Sequence, residues 1–301
     1  MVHIFYTAAL KKARINATIM SIKTEKGEIY MKGLLAINHF LTSAKFTELH
    51  ERLVGAAEKE NITLEIKTNL ELATDTPQCD FVLFWDKDIN LARRLEKQEL
   101  PLFNGAESIE KCDDKARTYI ELSGTVPQPK TLIAPKTYFK ADFSDFVDKA
   151  IEILGLPLVF KECFGSFGEQ VFLCNTRNDI MSHITERPFI LQEFIASSAG
   201  RDKRLEVVGG RVVAAMERFN ERDFRSNITN GGKMKPCEPS KAECDMAVAA
   251  CERLGLTFGG VDILEGGLVC EVNSNAHIIN IMNCTGIDIA AEIFKEIRRN
   301  I

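Results

Sequence analysis

Two carboxylates, Asp262 and Glu271, flank Gly266-Gly267 in the run from Gly260 to Asn273. Both flanks are rich in β-branched and apolar residues, and Gly-Gly is a favoured two-residue hairpin turn. With that turn, Asp262 and Glu271 stand directly opposite on one face, their Cβ atoms about 4.5–5.5 Å apart. Asn273 joins them by the two-residue period of a strand. Like charges placed opposite each other destabilise a sheet. A hard divalent cation removes that repulsion, and two carboxylates with an amide oxygen are donors that Mg²⁺ accepts. The spacing therefore points to a metal site. The competing account is a hairpin whose acids face water.

Upstream, Cys163-Phe164-Gly165-Ser166-Phe167-Gly168 joins two expected strands, with Lys161 at the end of the first. Small residues let backbone N–H groups approach a phosphate, Ser166 adds a hydroxyl and Lys161 a point charge. Gly-x-x-Gly also occurs in plain hairpin loops, and no Walker A pattern is present. Gln192-Glu193-Phe194 puts an acid into an apolar strand, so Glu193 needs a partner. An adenine amino group, a ribose hydroxyl or a salt bridge would serve. Asp202, Arg204 and Glu206 alternate along another strand, either as a solvated face or as a polar floor under a nucleotide. A Gly209-Gly210 turn would set Asp202 against Glu217. Arg218 and Arg225 carry forks suited to phosphate or carboxylate. A nucleophilic thiol at Cys163 lacks a histidine nearby in sequence to activate it.

The elements that must position these groups change character along the chain. Strands Gly33–Asn38, Ile62–Lys67 and Asp80–Trp85 alternate with helices Ala44–Lys59 and Ile89–Lys97, which indicates a parallel α/β unit ending near residue 112. Residues 1–32 carry weaker signals, with a turn expected at Gly27. Asp113 and Asp114 suit the start of a helix running to about Leu122. Beyond it lie strands at Lys130–Ile133, Leu156–Lys161, Val171–Cys174 and Phe189–Ile195, two Gly-Gly hairpins, and helices Ser144–Leu154, Asn178–Ile184, Ala242–Leu254 and Asp288–Arg299.

With 38 basic against 43 acidic residues, the chain has no basic excess for nucleic acid. No apolar run approaches the ~18 residues of a membrane span, and the first residues do not read as a secretory signal. Nine cysteines without a Cys-x-x-Cys pair, and five scattered histidines, fit reduced thiols in a cytoplasmic protein rather than a disulfide or zinc framework.

Taken in order, these motifs resemble the ATP-grasp superfamily, and within it the RimK-type glutamate ligases and the related LysX-type amino-acid ligases. The resemblance covers about Cys112 to Ile301. It adds Asp223-Phe-Arg225-Ser226-Asn227, Glu271-Val-Asn273 and Thr285-Gly-Ile-Asp-Ile-Ala to the segments above. It implies an α/β chain of the ATP-grasp kind: an N-terminal domain over 1–112, a glycine-loop lid subdomain over 113–190 and a metal-bearing subdomain over 191–301. Nucleotide would lie between antiparallel sheets. By this resemblance Lys115, Lys161, Ser166, Gln192, Glu193, Phe194, Asp202, Arg225, Ser226 and Asn227 contact ATP. Arg204, Arg218 and Arg225 serve catalysis, and Asp262, Glu271 and Asn273 hold two Mg²⁺, with Mn²⁺ an alternative. The implied reaction is ATP- and Mg-dependent carboxylate–amine ligation through an acyl phosphate, adding L-glutamate or a similar amino acid to a carboxylate-bearing acceptor. A nucleotide-binding sensor without ligase activity is the alternative, and an enzyme using bicarbonate or D-alanine is a third. Oligomeric state stays open, a homo-oligomer included. The family commonly follows Glu-Val-Asn with Ala-Ser-Pro-Gly, whereas this chain has Ser274-Asn275-Ala276-His277, which leaves the amino substrate open.

Overall fold

The computed structural model describes residues 22–23, 29–139, 141–165, 168–228 and 231–301. The turn expected at Gly27 and the hydroxyl of Ser166 lie outside the described residues. Two compact units form. One comprises the chain to Ala106 with Asp288–Ile301, and the other Glu107–Ile287. The expected divisions were 112 and 190, with the closing helix placed in the last subdomain.

In the first unit, β2 (Ile29–Ile37) is the pivot of a five-stranded sheet, with β1 (Ile22–Lys23) antiparallel to it. β3 (Ile62–Thr68) and β4 (Phe81–Trp85) flank it in parallel, and β5 (Leu102–Phe103) lies parallel outside β4. All five positions of β4 are buried, as expected of a parallel strand covered on both faces. The helix Ala44–Lys59 buries Leu49, Leu53, Ala56 and Ala57 at helical spacing. The closing helix Ile289–Asn300 packs against it through its own apolar stripe, and Arg298 Nη1 donates to Glu60 O at 2.6 Å. That packing explains why the helix belongs with this unit.

The second unit contains two antiparallel sheets. The first runs β6 (Thr131–Ile133), β9 (Phe189–Glu193), β7 (Leu158–Glu162), β8 (Val171–Cys174). Helices Ser144–Leu154 and Arg177–His183 bury Val147, Ala150 and Ile180 against Phe160, Phe189 and Leu191. The second sheet runs β12 (Lys233–Pro236), β11 (Arg211–Phe219), β10 (Arg201–Val208), β13 (Phe258–Leu264), β14 (Leu268–Asn273). One of its faces packs Leu205, Val207, Val261, Ile263 and Val272 against the helix Lys241–Leu254 and Leu122. Strand alternation then forces Asp202, Arg204, Glu206, Asp262, Glu271 and Asn273 onto the other face. Among the described residues no helix is long and apolar enough to cross a membrane.

Both hairpins of this sheet depart from the simple register. Gly209-Gly210 is a two-residue turn joining Val208 to Arg211, as expected, but an irregularity after Glu206 shifts the ladder by one. Asp202 therefore opposes Arg218, and Glu217 opposes Lys203; the expected Asp202–Glu217 pair does not form. In β13–β14 the turn takes three residues, because Leu264 pairs with Leu268. Cys270 is then the extra residue of a bulge, and Asp262 still opposes Glu271. The two departures cancel, so the opposition follows from a turn and a bulge together rather than from a two-residue turn.

Candidate functional site

A cleft opens within the second unit and is lined from both of its sheets. β7 contributes Lys161, and the end of β9 with the residue after it contributes Gln192, Glu193 and Phe194. β10, β11, β13 and β14 contribute Asp202, Arg218, Asp262 and Glu271, and the segment after β11 contributes Arg225, Ser226 and Asn227. Lys115 also lines it. The structure thus brings twelve residues expected from the sequence around one space. Arg204 and Asn273 do not line it.

Lys115 is placed by a helix start. Asp114 Oδ1 accepts from the backbone N–H groups of Ala116 and Arg117 at 2.9 and 3.3 Å, capping the helix Lys115–Leu122. Lys115 N donates to Cys163 O at 3.0 Å and its Nζ to Gly165 O at 3.4 Å, so it stands beside the glycine loop. Lys161 is 8% exposed and its Nζ lies 3.4 Å from Cys270 Sγ. The bulge puts Cys270 there, a residue that composition alone did not single out. Cys163 is buried, and that burial, with Asp114 nearby, pushes its thiol up to about 12. It is therefore a packed thiol and not a nucleophile poised as thiolate.

At the far end, Glu193 finds its partner in the backbone, its Oε1 accepting from Lys130 N–H at 2.6 Å. Phe194 and Phe224 meet edge to face, with ring centroids 6.4 Å apart. Gln192 Nε2 donates to Thr131 Oγ1 at 2.8 Å. Arg225 Nη1 donates to Gly168 O at 2.7 Å, joining the segment after β11 to the glycine loop.

The floor is an ion-pair lattice. Arg204 grips Asp262 through Nε and Nη2, both at 2.6 Å, and Arg218 grips Asp202 at 2.7 and 2.6 Å. Arg218 Nη2 also lies 2.9 Å from Asp262 Oδ2, and Ser226 Oγ donates to Asp202 Oδ2 at 2.6 Å. Burial pushes the Asp262 carboxyl up, but Arg204 and Arg218 outweigh it and hold the group below its ordinary value. Glu206 has no such partner, and burial pushes it up to about 7.

The donor set fits a hard cation. Asp262 Oδ2 is filled by two guanidinium contacts, whereas Oδ1 accepts from Arg204 alone and keeps a lone pair. Glu271 and Asn273 add a carboxylate and an amide oxygen on the same face. Among the described residues no three of His, Cys, Asp and Glu cluster as a metal site, so the amide is needed to complete the set.

A family model for a RimK-like ATP-grasp domain matches residues 112–297. The chain is 35% identical over 220 residues to a "Probable alpha-L-glutamate ligase" of Maridesulfovibrio salexigens, covering 70% of this chain and 71% of that protein. It is 34% identical over 244 residues to beta-citrylglutamate synthase B of Danio rerio, covering 75% of this chain and 59% of that one. Among solved structures, the RimK domain ATP-grasp protein of Sphaerobacter thermophilus superposes with a TM-score of 0.68 at 18% identity. That match spans 88% of this chain and 98% of the other.

Proposed function

The chain belongs to the RimK-like ATP-grasp family, and from that premise we propose an ATP-dependent ligase that joins an amino acid, L-glutamate first, to a carboxylate-bearing acceptor. The observation that supports this reading is the single cavity that gathers Lys115, Lys161, Arg218, Asp262 and Glu271. Cationic side chains there suit a triphosphate, while Phe194 and Phe224 offer apolar surface for a base. The relatives named as a glutamate ligase and a citrylglutamate synthase support an amino acid as one substrate.

In the proposed reaction an acceptor carboxylate oxygen attacks the γ-phosphorus of ATP and ADP leaves. The amine lone pair then attacks the acyl carbon, a carbon–nitrogen bond forms, the nitrogen loses a proton and phosphate departs. Lys161 and Arg218 would offset the negative charge that develops on the transferring group. Arg204 would act through Asp262, holding it ionised and in place. Asp262, Glu271 and Asn273 would hold two Mg²⁺, or Mn²⁺, which when bound supply neutralising charge for the phosphates. The glycine loop, tied by Arg225, would exclude water from the acyl phosphate.

The test is ADP release by the full chain with Mg·ATP, single amino acids and candidate acceptors, followed by mass spectrometry of products made with labelled glutamate. Amino-acid-dependent release that Asp262→Ala or Glu271→Ala abolishes is the expected result. Nucleotide binding without turnover under every condition would leave a nucleotide-binding protein instead.

A further inference from the structure

Glu206 Oε1 and Asn273 Nδ2 are both buried and have no hydrogen-bond partner. One is an acceptor and the other a donor, and they occupy the same transverse row of the sheet. In that row β10 contributes Glu206, β13 Gly260 and β14 Asn273. The middle position has no side chain to separate the outer two. A Cβ at Gly260 would lie 2.9 Å from Glu206 Oε1 and 2.9 Å from Ala276 Cβ. The Glu206 carboxylate thus lies over the central strand, about one strand spacing of 4.8 Å from the backbone that carries Asn273. Glu206 is 2% exposed, so bulk water does not meet its needs. Its cationic neighbour Arg204 directs Nε and Nη2 to Asp262.

We infer that Glu206 is a positioning residue for Asn273: with a cation bound, Asn273 turns its Nδ2 to Glu206 Oε1 across Gly260, a hydrogen bond this structure does not contain, and its Oδ1 then faces Asp262 and Glu271. A carboxamide presents oxygen or NH₂ according to how it is turned, and only the oxygen can ligate a cation. An acceptor behind the amide fixes that choice, as outer partners of metal ligands commonly do. Glycine at 260 leaves no side chain of the central strand between the two. This assignment rests on Asn273 being a cation ligand, as proposed above.

The test is Mn²⁺ binding to the full chain with a non-hydrolysable ATP analogue, read by electron paramagnetic resonance of the free ion. Glu206→Leu is expected to weaken binding by roughly tenfold or more, as is Asn273→Ala, while Glu206→Gln, which keeps an acceptor oxygen, stays within about threefold of the parent. Adding Glu206→Leu to Asn273→Ala should cost nothing further, because the two residues act as one unit. Thermal melting checks folding of each variant, and Glu206→Met replaces the leucine variant should that one not fold. If Glu206→Leu binds like the parent while Asn273→Ala does not, the Glu206 assignment falls and the cation-site reading stands. If Asn273→Ala itself binds like the parent, Asn273 is not a ligand and both fall. If Glu206→Gln is as weak as Glu206→Leu, charge and not an acceptor oxygen is required, which overturns the proposal.

Discussion

Arg204 holds both carboxylate oxygens of Asp262, Nε to Oδ1 and Nη2 to Oδ2, each at 2.6 Å. The side chains are 12% and 6% exposed, so this is a desolvated pair. Removing Arg204 leaves the buried Asp262 with Arg218 alone, at 2.9 Å, and its Oδ1 without a partner, whereas replacing both members of a buried pair with apolar residues is often close to neutral. Arg204→Leu should therefore destabilise the chain by about 1.5–3 kcal/mol, the loss of charged hydrogen bonds with Arg218 still in place. Arg204→Leu combined with Asp262→Leu should regain most of that loss, yet show no turnover. Urea denaturation beside ADP release separates the two effects. A double variant no more stable than the single one would mean that the pair is not the source of the cost.

Cys163 stands next to the glycine loop, but its burial keeps the thiol protonated at neutral pH. The upward shift means that thiolate appears only near its value of about 12. Cys163→Ala is accordingly expected to keep turnover within about twofold of the parent, because the thiol takes no part in the chemistry, while the small void left in the core costs about 1 kcal/mol of stability. Iodoacetamide should modify it slowly at pH 8 and faster only on unfolding. Rapid alkylation of Cys163 in the folded chain, with loss of activity, would restore it as a nucleophile.

Arg225 ties the glycine loop to the sheet. Its Nη1 donates to Gly168 O at 2.7 Å while Nη2 is held by Asp223 Oδ2 at 2.7 Å. Gly168 has φ near 75°, and a Cβ there would lie 2.9 Å from Asn227 Oδ1. Gly168→Ala should raise KM for ATP by roughly tenfold through misplacement of the loop. Arg225→Ala should speed chymotrypsin cleavage after the exposed Phe164, and an ATP analogue should slow it again. Identical cleavage of parent and variant would show that other contacts hold the loop.

Much of this arrangement is legible in the residues themselves. Helix Ala44–Lys59 follows from apolar spacing, and it and the helices Ile89–Lys97 and Ser144–Leu154 end where expected. Twelve of the proposed nucleotide, catalytic and cation residues line one cavity. The edge strand Lys233–Pro236 was not legible, because Lys-Met-Lys-Pro has no apolar alternation and is a strand only by pairing with β11. The helix Ile279–Thr285 is equally hard to read, being a seven-residue run with Asn280, Asn283 and Thr285 among its apolar residues and no capping side chain. The two bulges leave no compositional trace either, since an extra residue in one strand is a property of the pairing. That is why Asp202 was set against Glu217 rather than Arg218. The unmet Oε1 of Glu206 likewise depends on where the strands cross.

The bulge at Cys270 allows the register to be tested directly. Ile263 pairs with Val269 and Asp262 with Glu271, so Cys270 alone lacks a partner across the ladder. Deleting Cys270 would join Val269 to Glu271, and each neighbour would keep its present face: Val269 and Val272 in the core, Glu271 and Asn273 on the opposite face. Deleting Val272 instead would send Asn273 to the opposite face, because the side-chain period is two. The Cys270 deletion should therefore melt cooperatively, with a loss of about 1–3 kcal/mol, and still bind an ATP analogue, though more weakly. It gives up the Lys161 contact at 3.4 Å and the added twist that a bulge supplies. The Val272 deletion should lose both its cooperative transition and its nucleotide binding. Thermal denaturation and calorimetric titration of the two deletions decide the matter: equal damage in both would mean that Cys270 is an integral rung of the ladder and that the bulge does not set the Asp262–Glu271 opposition.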